Sequence, residues 1–319
     1  VDMLDSVAEK AWNGERLTKE EALTLWESAD FYTLATLANH RRLTLHPAAV
    51  VTYVIDRNIN YTNICISGCR FCAFYRRPGA DNGYVLSQQE LASKIEEALA
   101  FGGTQILLQG GMHPDLGLSF YEEMLRFIKE NFPIHIHGFS PPEIIHLAQT
   151  ESLELGEVLR RLQLSGLDSI PGGGAEILVD EVRNRISPNK CNSGEWLAVM
   201  ESAHGLGMKT TATMMFGHLE TIEQRLEHLF RLRELQDKTT GFTAFIRWTF
   251  QPDKTALQTE PATAMDYLRT LAMSRLVLDN IANIQVSWVT MGSGVAQVAL
   301  QFGANDFGST MIEENVVAA

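Results

Sequence analysis

About eight short apolar runs recur along this chain, at residues 58–62, 105–108, 134–139, 167–170, 210–215, 242–248, 284–288 and 304–307. Each is long enough for a buried strand and too short for a buried helix. Amphipathic stretches of helical periodicity separate them. Several helical stretches open on a capping-box pattern: Thr18-Lys-Glu-Glu21, Ser87-Gln-Gln-Glu90, Ser119-Phe-Tyr-Glu122 and Thr221-Ile-Glu-Gln224. In such a box the hydroxyl accepts an amide of the first turn while the Glu or Gln reaches back. Glycines follow several runs, as in Gly110-Gly111, Gly138, Gly172-Gly173-Gly174 and Gly217. Strand-then-helix alternation predicts an α/β fold with a parallel sheet. Eight repeats predict a (β/α)8 TIM-type barrel. An open doubly wound sheet is the alternative, because periodicity does not report closure. The first 45 or so residues read as helices. The expected organisation is an N-terminal helical extension over 1–50 and one barrel domain over 51–319.

The totals narrow the function classes. The 319 residues carry 26 basic and 39 acidic side chains, a net charge of −13. Nucleic-acid binding needs a basic footprint and is disfavoured. No apolar run reaches the ~18 residues of a membrane span, and no secretory signal is recognised. The chain opens at Val1, read as a processed or engineered start. Four cysteines in a chain of this length do not read as a disulfide framework. A reducing, cytoplasmic location and oxygen sensitivity are expected.

Three of those cysteines are clustered in Cys65-Ile-Ser-Gly-Cys69-Arg-Phe-Cys72, directly after the first strand. A structural zinc takes four ligands. Three thiolates on an iron–sulfur cube leave one iron open. A zinc site completed by His40 or His46 is the alternative. Phe71, just before the third cysteine, is placed to stack on a bound ring. Cys191 is distant and is read as a packed, inert thiol. In a parallel barrel the chemistry gathers at the C-terminal strand ends. Those ends carry the cysteine loop, Gln109-Gly-Gly-Met-His113, Ser140-Pro-Pro-Glu143, Pro171-Gly-Gly-Gly174, His218 and Trp248.

The C-x3-C-x-Phe-C loop after a first barrel strand resembles the motif of the radical S-adenosylmethionine (SAM) superfamily. Further segments narrow the resemblance: Asn58-Ile-Asn-Tyr-Thr-Asn63, Cys72-Ala-Phe-Tyr-Arg76, Gln109-Gly-Gly-Met-His-Pro114, His137-Gly-Phe-Ser-Pro-Pro-Glu143, Ser169-Ile-Pro-Gly-Gly-Gly-Ala-Glu176, Thr211-Ala-Thr-Met-Met-Phe-Gly-His218 and Phe245-Ile-Arg-Trp-Thr-Phe-Gln-Pro252. They resemble the enzymes of the menaquinone futalosine pathway, most closely the cyclic dehypoxanthinyl futalosine synthase family. The two halves of the deazaflavin (F420) synthase belong to the same subgroup. The likeness runs from about the first helix to the chain's end. That family usually has Pro where Arg247 stands, and it usually continues past Ala319.

The resemblance implies a 4Fe-4S cluster on Cys65, Cys69 and Cys72, with SAM on the open iron. It implies a 5′-deoxyadenosyl radical that takes the ribose 4′ hydrogen of dehypoxanthinyl futalosine. The sugar radical then closes onto the benzoate ring to give a spiro product. An electron donor such as flavodoxin or ferredoxin is implied as partner. Phe71, Phe74, Gly110, Gly111, Ser140, Glu176 and Arg183 (or Arg185) are expected at the cofactors. Gln109, His218, Trp248, Gln251, Ser287, Trp288 and Asn305 are expected at the substrate, with Phe250 and Asp306 beside them. His218 and Glu220 are the expected catalytic pair. Arg247 either pairs with the substrate carboxylate or points outward; strand alternation, with Ile246 and Trp248 on one face and Arg247 on the other, favours outward unless the strand is bulged.

Three rivals remain at this point. His135 and His137 share a strand face, as a metal-dependent hydrolase requires. A non-catalytic iron–sulfur carrier is the second, although such carriers use four cysteines. Sister radical enzymes, aminofutalosine synthase or a deazaflavin synthase half, are the third.

Overall fold

The computed structural model describes residues 3–48, 50–317 and 319. Three helices lead: α1 (Met3–Trp12), α2 (Lys19–Ser28) and α3 (Phe31–Leu45). The strands then alternate with helices: β1 (Thr52–Val54), β2 (Asp56–Asn60), α4 (Gln88–Ala100), β3 (Gln105–Gln109), α5 (Leu118–Asn131), β4 (His135–Gly138), α6 (Pro141–Glu151), α7 (Leu155–Ser165) and β5 (Ser169–Ile170). The second half continues through α8 (Asp180–Ile186), α9 (Ser193–Gly205), β6 (Lys209–Phe216), α10 (Ile222–Thr239), β7 (Phe242–Thr249), α11 (Ala264–Val277), β8 (Asn283–Gln285), α12 (Trp288–Ala299) and β9 (Asp306–Ser309).

Every pairing among these strands is parallel, in the order β1-β9-β8-β7-β6-β5-β4-β3-β2. β1 and β2 are two pieces of one run, broken at Ile55. The lower piece pairs with β9 and the upper with β3, so the run joins the last strand to the second. Eight walls therefore close into a TIM-type (β/α)8 barrel, and the open sheet is excluded. The first wall starts at Thr52, earlier than the expected 58–62, because the chain beyond Asn60 turns into the cysteine loop. Trp288 opens α12 and does not end a strand.

The side-chain period of two decides which way each residue faces. Ile59, Ile106, Leu108, Ile136, Ala212, Met214, Phe245 and Ile284 are fully buried beneath the helices. Their neighbours along the strands face the lumen. Arg247 follows the outward phase and lies buried under α11. Its Nη2 donates to Tyr267 Oη (2.9 Å) and its Nη1 to Gln285 O (2.5 Å).

Thr18, Ser87 and Thr221 form their capping boxes. The box at Ser119 does not form, because α5 starts earlier, after Gly117, and Glu151 Oε1 accepts the Leu118 amide (2.8 Å). An unexpected box is built by Asn192 and Glu195. The N-terminal helices are tied to the barrel's outer layer. Arg269 donates to the carbonyls of Trp26 and Ala29, and Arg16 pairs with Asp237 and Asp279. No helix among the described residues is long and apolar enough to cross a membrane.

Arg275 is the pin of the last barrel connection. It is fully buried and donates to Gly303 O (2.7 Å), Ala282 O (2.9 Å) and Asn305 Oδ1 (2.7 Å). Burial, with Arg41, Arg247 and Arg42 nearby, pulls its guanidinium down to about 9. Arg275→Ala strands these acceptors without donors and leaves a void. A loss of about 3–5 kcal/mol is expected, read as a lower denaturation midpoint.

Candidate active site

The cysteine loop leaves β2 and is braced from four sides. Ile66 N donates to Met112 O (3.0 Å), Arg70 N to Ile186 O (2.8 Å), Asn189 Nδ2 to Ser67 O (3.0 Å) and Ala256 N to Arg70 O (2.9 Å). Gly68 takes a left-handed φ of 61° between the first two cysteines, which a side chain would resist. Arg76 closes the loop by donating Nη1 to the carbonyls of Ala73, Phe74 and Tyr75.

Amides point at the thiols. Ser67 N and Met112 N donate to Cys65 Sγ (3.4 and 3.3 Å), and the Phe74 and Tyr75 amides donate toward Cys72. Ser67 Oγ lies 3.0 Å from Cys69 Sγ. Burial pushes the Cys65 and Cys72 thiols up, with those amides opposing it. Amide donors of this kind stabilise thiolates that hold iron.

A buried cation sits beside them. Lys190 Nζ pairs with Glu176 Oε1 (2.6 Å) and lies 5.0 Å from the Phe71 ring centre. Burial opposes its charge, yet Cys69 and Glu176 hold the ammonium well above the usual lysine range. Sequence reading missed Lys190, since nothing local distinguishes it from a surface lysine.

A carboxylate ties three strand ends together behind the loop. Glu143 accepts from Tyr61 Oη (2.5 Å), Ser140 Oγ (2.5 Å) and Gly110 N (3.2 Å). Burial pushes its carboxyl up to about 7, against the pull of its hydroxyl and amide donors. A raised folded-state pKa favours folding while the group is protonated, and that advantage fades as pH climbs. Wild type should therefore lose about 3 kcal/mol relative to Glu143→Gln between pH 4.5 and 7, the two ends of the shift. Thermal melts of both proteins across that window check it.

Below the loop the barrel is hollow. A cavity of about 600 Å³ runs down the lumen. Most TIM-type barrels fill this space with branched apolar side chains. Here the inward residues include Asn58, Gln109, His137, Ser169, Thr211, Thr213 and Gln285, with Ile246 and Trp248 as an apolar wall. Met311, Val316 and Val317 line it from the C-terminal segment. The volume and the mix of apolar wall and few polar groups suit a small organic ligand.

Of the expected substrate residues, Gln109, Trp248, Ser287 and Trp288 line this cavity. Asp306 also lines it and binds Thr52 Oγ1 (2.5 Å) at the lower seam. Asn305 does not: it lies behind the wall, accepting from Arg275 and Ile284 N. Gln251 folds back onto Thr249 and is outside the cavity lining. Phe250 is buried against His218.

The expected catalytic pair is not among the residues that line the lumen. His218 and Glu220 side chains are fully shielded. His218 Nε2 bonds Met215 O (3.1 Å), its Nδ1 accepts from Leu219 N (2.7 Å), and Glu220 takes the amides of Gly217 and His218 plus Arg225 Nε. The pair builds a turn. Arg183 is likewise spent, donating to the carbonyls of Gly174, Ala175 and Cys191. Arg185 is exposed. The amides of Gly110 and Gly111 are taken by Glu143 and Thr62 O, so neither is free for a ligand. Ser140 is held by Glu143, and Phe74 stays on the loop.

No group of three or more His, Cys, Asp or Glu among the described residues converges on a single metal ion. His40 stacks on Trp12 and His46 binds Ala282 O. His135 and His137 are bridged by Ser169 Oγ.

The sequence family described as the radical SAM superfamily matches residues 59–232. The chain belongs to the radical SAM superfamily. A second family, described as the CofH/MqnC C-terminal region, matches residues 239–319. Cyclic dehypoxanthine futalosine synthase of Halalkalibacterium halodurans is 51% identical over 318 residues, spanning 99% of this chain and 86% of the relative. A 5-amino-6-(D-ribitylamino)uracil–L-tyrosine 4-hydroxyphenyl transferase of Methanosarcina barkeri is 42% identical, over 98% of this chain and 84% of the relative. The fold is shared with the crystal structure of methylornithine synthase, at a TM-score of 0.74 and 18% identity, over 98% of this chain and 89% of that one. Membership implies a 4Fe-4S cluster and SAM, and the thiol set fits: three cysteines on one braced loop, amide donors on two of them, and a buried ammonium beside the third.

Proposed function

We propose that this chain is a radical SAM cyclase that converts dehypoxanthinyl futalosine to its cyclic spiro product in menaquinone biosynthesis. The hollow lumen, an apolar wall with a few polar groups, carries this reading, together with the 51% identity to a synthase of that name. Cys65, Cys69 and Cys72 would hold the cluster, which with SAM would supply the 5′-deoxyadenosyl radical that takes the ribose 4′ hydrogen. The paired Glu176 and Lys190 beside Cys69 are the polar groups assigned to such a ligand. The substrate sits in the lumen with its ribose toward the loop and its aryl end deeper. Trp248 covers the ring, and Gln109, Ser287 and Trp288 border it.

Residues 51–319 form the catalytic unit and residues 1–50 its helical extension. The protein acts in the cytoplasm, where free thiols persist. A flavodoxin or ferredoxin supplies the electron, and no nucleic acid or membrane takes part. The test is anaerobic: protein reconstituted with iron and sulfide, reductant, SAM and dehypoxanthinyl futalosine. The mass of the cyclic product is the expected result. Deoxyadenosine formed only with another nucleoside or with tyrosine as substrate assigns the chain to a sister enzyme.

A further inference from the structure

Two imidazoles in the lumen share one hydroxyl. His135 Nε2 and His137 Nδ1 each lie 2.7 Å from Ser169 Oγ. His137 Nε2 looks across the lumen, with only a long contact of 3.4 Å to Thr211 Oγ1. The side chain of His135 is 45% exposed at the lower end of the barrel, and its Nδ1 is 3.9 Å from Asp168, which also binds Lys129. An unbroken row of groups that both donate and accept therefore leads from mid-lumen to solvent.

Resting on the function proposed above, we infer that His137, Ser169 and His135 form the exit path for the proton released when the cyclised ring regains aromaticity. Carbon–carbon bond formation leaves a ring radical that still carries the arene hydrogen. Breaking that C–H bond gives the proton to His137 Nε2. The remaining electron passes to an oxidised iron–sulfur cluster. His137 Nδ1–H is then handed to Ser169 Oγ, and the serine proton moves to His135 Nε2. The ring lies within reach because its sugar must face the cysteine loop, which sends the aryl end down the lumen.

The other ionisable side chains of the cavity are placed for different work. Asp56 accepts from Gln105 (3.0 Å) and Ser309, Asp306 accepts from Thr52, and Lys209 donates to Thr240 O (3.2 Å), all at the lower end. Glu314 stands on the C-terminal segment and accepts from the amides of Val316 and Val317. Burial holds the His137 imidazolium down at about 3, so the ring passes a proton on and does not store it.

The test compares deoxyadenosine formed with cyclic product formed. In wild type the two should match. In His137→Gln, deoxyadenosine per cyclic product should rise at least about tenfold, since a positioned base typically contributes 10²–10⁴. Ser169→Ala and His135→Gln should raise it in the same direction, and imidazole added to His137→Gly should lower it again. Iron content reports whether each variant loads its cluster. If His137→Gln does not, the Ser169 and His135 variants decide. In cluster-free protein, Ser169→Ala should move the ring-nitrogen resonances of both histidines. An unchanged ratio in the loaded variants overturns the relay alone. A wild-type protein that makes no cyclic product overturns the relay together with the function it rests on.

Discussion

Cys72→Ala should abolish SAM cleavage while leaving the barrel folded. Cys72 is the last thiol of the loop, and its sulfur receives the Phe74 and Tyr75 amides. Alanine leaves two thiols, too few to retain a cube. The loop's own braces do not use that sulfur: Arg70 N to Ile186 O, Ala256 N to Arg70 O, and Cys65 N to Arg76 O (2.9 Å) all persist. Iron and sulfide content should fall to background, as should deoxyadenosine. The melting midpoint of the cluster-free protein should match wild type. Cleavage that survives the substitution removes the cluster from this loop.

Gly111→Ala should do nearly as much damage without touching a ligand. A Cβ there would lie 2.2 Å from Ile64 O, 2.7 Å from Ile64 C and 2.8 Å from Cys65 Cβ. Backbone cannot yield as a flexible side chain can, so either the cysteine loop or the β3 loop must shift. That shift pulls Met112 N off Cys65 Sγ and loosens the Gly111 N to Thr62 O bond (3.1 Å). Overpacking of this kind costs about 1–3 kcal/mol, and cluster occupancy should drop with it. Gly156→Ala is the control, because nothing lies within 4 Å of its Cβ and it sits in α7. Helix propensity makes that change neutral or stabilising by up to about 1 kcal/mol. Equal iron retention in the two variants shows that the close approach at Gly111 is unimportant.

The barrel was legible because its signals are local. Apolar runs, capping boxes at Thr18, Ser87 and Thr221, and the cysteine spacing each lie within a few residues. Closure was not, since it depends on Thr52 meeting Asp306 across most of the chain. The site split along the same line. The thiols were legible from spacing, and Trp248 from strand phase. Lys190 and Glu143 were missed because burial and distant partners give them their meaning. The same phase argument that turned Arg247 outward also marks His137, Ser169, Thr211 and Gln285 as inward. Those residues were readable as lumen once alternation was applied to every strand. His218 misled because a histidine after a strand end looks exposed, whereas Glu220 and Met215 O absorb it into a turn.

The seam between the first and last walls also orders events in time. Thr52 bonds Asp306 across 254 residues, and Thr310 N and Ile312 N continue the seam to Val54 O and Asp56 O. A nascent chain displays the cysteine loop long before these residues leave the ribosome. Until they do, β1 and β8 present unpaired edges, the hazard that aggregation exploits. Such long-range pairing is slow to form. Ring closure therefore waits on β9, the strand that joins the two open edges.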